Sequence, residues 1–395
     1  MGFLFNSKKK EEVVAIFDIG SGSIAGAIVR IPKDKDELPV ILKSIRTEID
    51  YNKEKLDTNV FIRNMLKTLE DVSHDVYLMK FAPLKKIFCV VASPWYSSET
   101  RVLKTTKDSE FIFTSKIADD LLQKEIKEIL NFNNKKNKSI YNELEIIDSQ
   151  VMSVSLNGYQ MESPLGIRTK AVEINMIVSL AQKFFLDKIR KVISKDFHDT
   201  PVVFSSFMVA SYLAIRDKYI SPDSYLILDI GGEITEVGIV SRGSLKASLS
   251  FPFGKKTIFR YISTKMEVDL RDAKELFNLY NDDNLTEKKR KELEPLFKSI
   301  ENSWSESFRN CISLLPHVLA LPSTIFLTAD NDVLKWFKNV ISNEEFIQSM
   351  TLLHKCTVIS LNGNEFNQMC KLNDKSDCDP FLMIEAISVA RNKFK

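Results

Sequence analysis

At 395 residues the chain is longer than a single hydrophobic core usually serves, so two or more domains are expected. Its 44% hydrophobic and 27% charged residues are the balance of a globular protein. A net charge of +2, with Lys and Arg interspersed among Asp and Glu, offers no basic face for a nucleic acid. Five cysteines without a C-x-x-C pair fit a reducing cytoplasm, and no apolar run approaches the ~20 residues of a bilayer span.

The first residues run Met1-Gly2-Phe3-Leu4-Phe5-Asn6-Ser7, then Lys8 to Lys10. They lack the apolar core of a secretory signal, and Asn6 stands where a myristoylation pattern wants Ser or Thr. They read as a frayed leader, with a weak membrane or partner contact as the alternative. Val13 to Phe17 is a β-branched-rich strand buried on both faces, ending at Asp18. Ile19-Gly20-Ser21-Gly22-Ser23 is a turn, and Ile24 to Ile31 is the returning strand, stopped by Pro32. Residues 33–55 read as charged and mixed.

A helix is expected over Thr58 to His74 and a strand over Ile87 to Ala92, broken by Ser93-Pro94-Trp95. Two further strands cover Arg101 to Thr106 and Phe111 to Phe113. Ser115 caps a helix to Leu130, followed by an Asn/Lys-rich loop to Asn142. Strands at Ile146 to Leu156 and Ala171 to Ser179 flank the hairpin signal Asn157-Gly158-Tyr159 and the turn Pro164-Leu165-Gly166. Leu180 to Ser194 is helical. A second buried strand, Tyr225 to Leu228, ends at Asp229. Ile230-Gly231-Gly232 follows, then strands over Glu233 to Val240 and Leu245 to Phe251. Residues 256–315 are charged helices broken near Asn281 to Asn284. Thr324 to Leu327 and Cys356 to Leu361 are strands, Leu334 to Ile341 is a helix, and Asp379-Pro380 opens a last helix to Phe394.

The informative feature is a repeat. A buried strand, Asp-Ile-Gly, small polar residues and a second strand occur at Val14 to Val29 and again at Leu226 to Val240. Two copies imply two similar half-domains facing each other. Phosphates need backbone N–H donors at close approach, which glycine and small residues permit, and Mg²⁺ takes a few carboxylates. Asp18 with Gly20, Ser21, Gly22 and Ser23 supplies both on one hairpin; Asp229 with Gly231 and Gly232 supplies them on the other. Two such hairpins would clamp a triphosphate and its Mg²⁺, with Asp18 and Asp229 on the metal. Phosphoryl transfer needs little beyond such positioning. No Walker-type loop competes.

At these residues the chain resembles the superfamily of actin, the sugar kinases and the heat-shock chaperones. Asp18, Gly20, Ser21 and Ser23 match its first phosphate loop, D-x-G-[ST]-x-[ST]; Asp229, Ile230, Gly231, Gly232 and Thr235 match its second, D-[IL]-G-G-G-T-[TF]-D. Within it the pattern is similar to the branch of the cell-division protein FtsA and the pilus-assembly protein PilM. The implied fold is α/β, a duplicated two-lobe actin-like (ribonuclease H-like) ATPase fold with an inserted α+β subdomain. The implied divisions are a first lobe over 1–83, the insert over 84–165, the first lobe resumed over 166–198, and the second-lobe core over 199–255. A helical subdomain over 256–315, an adenosine-side turn over 316–361 and a helix returning to the first lobe over 362–395 complete them.

The resemblance implies ATP and Mg²⁺ as cofactors, with Gly254, Thr328 and Ala329 added to the nucleotide site. It also has departures. Glu233 stands where Gly is usual and would place a negative charge beside the γ-phosphate. Glu236 replaces Asp, only Gly254 survives of a usual Gly pair, and Thr328-Ala329-Asp330-Asn331 has no glycine where the family's adenosine turn has three. Ala273 is followed by Lys274 and Glu275 in swapped order. Weak nucleotide binding with slow or absent hydrolysis is therefore expected.

The implied protein is a cytoplasmic scaffold of the FtsA type, peripheral at the inner face of the membrane. It would link a cytoskeletal or cell-division partner to that membrane and could self-associate into filaments or dimers. The alternative is a PilM-like adaptor of a type IV pilus or secretion assembly that binds a short peptide of an inner-membrane protein. FtsA carries a terminal membrane helix for which no segment follows Lys395, which leans toward the adaptor. A small-molecule kinase would need an Asp base, and a chaperone a further domain; the chain offers neither.

Overall fold

Two sheets repeat one plan. In the first, β1 (Glu12–Ile19), β2 (Ser23–Ile31) and β3 (Val40–Glu48) form an antiparallel meander, and β4 (Ile87–Val91) and β9 (Val202–Ser206) continue it parallel to β1. In the second, β10 (Tyr225–Ile230), β11 (Thr235–Ser241) and β12 (Ser244–Phe251) form the meander, and β13 (Thr324–Ala329) and β14 (Thr357–Ser360) run parallel to β10. A short β15 (Lys371–Leu372) closes the first sheet against β3. The computed structural model describes the chain apart from residues 1–11, 33, 35–36, 51–57, 82, 137–142, 220–222, 315–320, 344–355, 374–377 and 393–395. The leader at Met1 to Lys10 and the end of the last helix at Phe394 lie outside the described residues.

Strands β1 and β10 are buried at almost every position because helices cover both faces of a sheet with parallel pairs. Helix α1 (Thr58–Leu78) packs on β2 and β3, and the last helix, α9 (Pro380–Asn392), packs on β1 and β2. Between the sheets lies α4 (Phe207–Lys218). It touches β9 of one sheet, β10 of the other and α9, so Phe207 through Ile215 are all buried. The second lobe carries α5 (Lys255–Met266), α6 (Leu270–Asn281), α7 (Glu287–Ser313) and α8 (Asn331–Ser342), closed around Phe277, Phe297, Trp304 and Phe337.

The insert is an antiparallel sheet in the order β5 (Tyr96–Ile112), β8 (Arg168–Gln182), β6 (Leu144–Leu156), β7 (Tyr159–Met161), with α2 (Ser115–Lys136) on one face. The Asn157-Gly158 signal does form a hairpin: both residues have positive φ, +50° and +87°, as a two-residue turn of this hand requires.

Sheet membership corrects several expectations. Residues 33–55 contain β3, and residues 199–218 contain β9 and α4, none of which the apolar pattern had marked. Strand β5 is continuous where two strands were expected, because a bulge between Thr106 and Phe111 absorbs the polar interruption. Helix α2 runs on through Asn131 to Lys136, and α3 (Lys183–Ile193) starts only where β8 ends. The insert's sheet spans Tyr96 to Gln182 rather than 84–165, since β4 belongs to the first sheet and β8 is the insert's central strand. Likewise β9, inside the expected second-lobe segment 199–255, pairs with β4 in the first lobe.

Asp148 on β6 fastens the insert to the first lobe. Its carboxylate accepts the Ser206 N–H at 2.7 Å, where β9 turns into α4. Burial pushes this carboxyl up to about 7 against those hydrogen bonds. Between about pH 4 and 7 the unfolded chain has released this proton while the folded chain still holds it. Stability therefore falls as pH rises, by up to ~1.4 kcal/mol per unit. Urea midpoints at pH 5 and 7 are expected to show this loss in the wild type relative to Asp148→Asn, which keeps the acceptor and has nothing to titrate.

Candidate functional site

Both Asp-Ile-Gly turns follow the first strand of a meander, so the repeat places Asp18 and Asp229 at equivalent points, opposite Ala25 and Glu236 in their ladders. The structure brings the turns into one cleft, lined by Asp18, Gly20, Ser21, Gly22, Ser23, Asp229, Gly231 and Gly232. They meet backbone to backbone: a Cβ on Gly232 would stand 2.3 Å from Gly22 Cα, and one on Gly22 would stand 2.9 Å from Gly232 Cα. Glycine is required at both positions for that approach. Gly254 joins them, since a Cβ there would lie 2.5 Å from the carbonyl oxygens of Gly231 and Gly232. The first amides of α5 bond those same carbonyls, Lys255 N at 3.0 Å and Lys256 N at 2.8 Å.

The remaining expected residues stand behind the loops. Thr235 is fully buried; its hydroxyl donates to Phe253 O at 2.5 Å and accepts from Trp304 Nε1 at 3.2 Å. Thr328 donates to Asp229 Oδ1 at 2.8 Å, and Ala329 closes β13 beside Ile230. Burial pushes the Asp229 carboxyl well above the usual carboxylate range, with Thr328 opposing and Glu236 adding to the rise.

Asp18 is held by a residue that sequence reasoning missed. Arg46, on β3, donates to Asp18 Oδ2 at 2.8 Å, to Ser23 Oγ at 2.7 Å, and to Asp379 at 2.7 and 3.1 Å. Burial opposes the guanidinium's charge, but Asp379 and Asp18 outweigh it and raise its pKa further; burial pushes the Asp18 carboxyl up against the pull of Arg46. No local signal marks this group, because its members lie on β1, β2, β3 and the start of α9, with Arg46 and Asp379 alone 333 residues apart in the chain. Lys255 forms a second cluster, 2.5 Å from Asp330 and 3.4 Å from Glu48. Burial works against the Asp330 charge, yet Lys255 holds that carboxyl below its usual range.

The two glutamate departures find partners. Glu233, 3% exposed at its side chain, is bound by both ends of the Arg260 guanidinium on α5, at 2.9 and 2.5 Å. Glu236 accepts from Tyr96 Oη, at the root of the insert, and from Ser248 Oγ at 2.6 Å, with Ser93 N at 3.4 Å.

A nucleotide with Mg²⁺ does not fit this arrangement. The cavity between the loops is ≈ 30 Å³, room for a water or two at about 10–15 Å³ each. Asp18 Oδ2 serves Arg46, Asp229 Oδ1 is bonded to Thr328, and the described residues contain no group of three His, Cys, Asp or Glu that could hold a metal. The amides of Gly20, Gly231 and Glu233, which a phosphate would need, bond to Ser23 O, Ile234 O and Ser21 Oγ. Beside the loops lies a larger pocket of ≈ 310 Å³ between the end of β3 and helices α5 and α6. Lys255, Lys256, Arg260, Arg271 and Lys274 line it against Glu48 and Asp50, with Phe259 and Leu270 as an apolar wall. Its size is that of small-ligand sites and its charge suits an anion.

No protein-family model matches the sequence, and no curated protein matches it. Solved structures do. The PilM–PilN type IV pilus biogenesis complex aligns with a TM-score of 0.60 at 13% identity, over 97% of this chain and 98% of that one. The ethanolamine utilization protein EutJ from Carboxydothermus hydrogenoformans aligns at 0.40 and 9% identity, over 96% and 89%. A Bacteroides thetaiotaomicron protein with an actin-like ATPase fold aligns at 0.40 and 10%, over 98% and 99%.

Two substitutions test the geometry. Gly232→Ala sets a methyl against backbone that no rotamer change can clear. It is expected to cost about 1–3 kcal/mol and to enlarge the radius of gyration in solution scattering; an unchanged radius and midpoint would deny the contact. Arg260→Ala strands a buried carboxylate at about 3–5 kcal/mol in chemical denaturation, most of which Glu233→Gln in the same chain should recover.

Proposed function

We propose that this chain, which has the actin-like ATPase fold and shares it with PilM, is a PilM-like adaptor that binds a short peptide of an inner-membrane protein in a type IV pilus or secretion assembly. The observation that carries the reading is the self-closed cleft: its glycines touch and its carboxylates are already paired, an arrangement suited to holding a shape rather than to phosphoryl transfer. The full-length likeness to a structure of the PilM–PilN complex supports it.

The insert offers the peptide a place. Tyr96 and Thr100, on one face of β5, reach the second lobe through Glu236 and Lys246 O. Val102 is next on that face and stands 50% exposed beyond the last contact, beside Asn175 of β8. It adjoins the line along which β5 packs on β12. ATP, in this reading, enters the 310 Å³ basic pocket as a weak ligand, with or without Mg²⁺, and is not turned over. The FtsA-type alternative, a scaffold joining a cell-division partner to the membrane, uses the same fold and differs in polymerising.

Three measurements on the full chain test this. Calorimetric titration with ATP and Mg²⁺ should give binding weaker than about 1 µM without ADP release. Fluorescence anisotropy should detect a cytoplasmic peptide of a pilus inner-membrane protein, and Val102→Glu should abolish that signal at unchanged Tm. Filaments that pellet with ATP, in a chain that ignores the peptide, would replace the adaptor by the division scaffold.

A further inference from the structure

The geometry points to Arg46 as a built-in counter-ion that takes a divalent metal's place beside Asp18, so that the first loop keeps its charge balance without Mg²⁺. The inference rests on reading the two Asp-Ile-Gly loops as a clamp and concerns what balances the charge on its first arm.

A Mg²⁺ ion here would draw on carboxylate and hydroxyl oxygens at about 2.0–2.1 Å. Of the oxygens that a cation at Asp18 would use, Asp18 Oδ2, Ser23 Oγ and both carboxylate oxygens of Asp379 are taken by the guanidinium. Nη2 lies 2.8 Å from Asp18, Nη1 lies 2.7 Å from Ser23 Oγ, and Nε and Nη2 grip both oxygens of Asp379 at 2.7 and 3.1 Å. The Phe381 ring lies 5.0 Å from the guanidinium carbon and fixes its plane. A planar five-donor fork suits two carboxylates and a hydroxyl, where a lysine's point charge would not.

The other half of a metal–phosphate clamp is replaced as well. The Glu233 amide, on the second loop, donates to Ser21 Oγ of the first at 3.0 Å, across the gap a phosphate would bridge. Lys255 ties the lobes again, between Asp330 on one side and Glu48 on the other. Mg²⁺ and nucleotide dissociate, and a clamp built on them follows their concentrations. Arg46 is part of β3 and cannot leave.

Thermal unfolding of the full chain in EDTA and in millimolar Mg²⁺, each with and without ATP, tests the assignment. The wild-type Tm is expected to be the same in EDTA and in Mg²⁺, and any rise from ATP in the basic pocket is expected to be the same in both. Arg46→Gln leaves Asp18 and Asp379 without a cation; its Tm is expected to fall in EDTA and to recover with Mg²⁺. A wild-type Tm that rises with Mg²⁺, alone or beyond the effect of ATP in EDTA, overturns the assignment, and so does an Arg46→Gln Tm indifferent to Mg²⁺. Should that variant fail to fold, the wild-type comparison decides alone. Peptide binding measured in the same buffers separates the two readings. A Mg²⁺ response with peptide binding intact removes the role of Arg46 only, whereas a Tm silent to Mg²⁺ with no peptide binding in any buffer removes the adaptor only.

Discussion

The contact on which the rest depends is between two backbones, Gly22 of the first lobe and Gly232 of the second. With no side chain between them, the lobes approach as closely as peptide groups allow. That approach buries the strand ends, and with them Asp18, Asp229, Glu233 and Glu236, each 4% exposed or less. Buried carboxylates must be neutralised or paired. The chain does both: Arg46 and Arg260 supply charge, Thr328 and Tyr96 supply hydrogen bonds, and burial drives the Asp229 carboxyl toward its neutral form. The polar architecture of the cleft follows from the absence of two β-carbons.

How much of this the sequence displayed depends on how local each signal is. The hairpins were legible because Val13 to Phe17 and Tyr225 to Leu228 are unbroken apolar runs that end at Asp-Ile-Gly, and the Asn157-Gly158 turn carries its own signature. Strand β3 was not, because Lys43, Ser44 and Arg46 break up its apolar pattern, and only Arg46 of the three lines the cleft. Helix α4 was missed for the opposite reason. Buried between both sheets, it is apolar all round and shows no polar stripe to set its period. The insert's limits were misplaced where strands of one sheet are separated in sequence by a whole subdomain.

The site was legible as two loops and illegible as a network. Asp18 and Asp229 could be named from pattern, but their partners come from other elements: Arg46 from β3, Asp379 from the start of α9, Thr328 from the end of β13. Glu233 looked like a charge set against a phosphate. Arg260, two turns into the next helix, cancels it, and nothing in the spacing of 27 residues announces the pair. Glu236 stood as a departure, Glu where the family pattern has Asp. The extra methylene lets its carboxylate reach Tyr96, and so joins the second lobe's hairpin to the first residue of the insert.

That junction gives β5 a mechanical character. The strand leaves the cleft at Tyr96 and continues for 17 residues to Ile112. At ~3.3 Å per residue it is an arm of roughly 50 Å, paired along most of its length with β8 and therefore stiff. A tilt of about 5° at its root would carry the far end through about 4 Å, by the same arm length. Any loosening of the glycine contact would thus be magnified at the outer tip of the insert, where a displacement of that size is enough to make or break a protein interface.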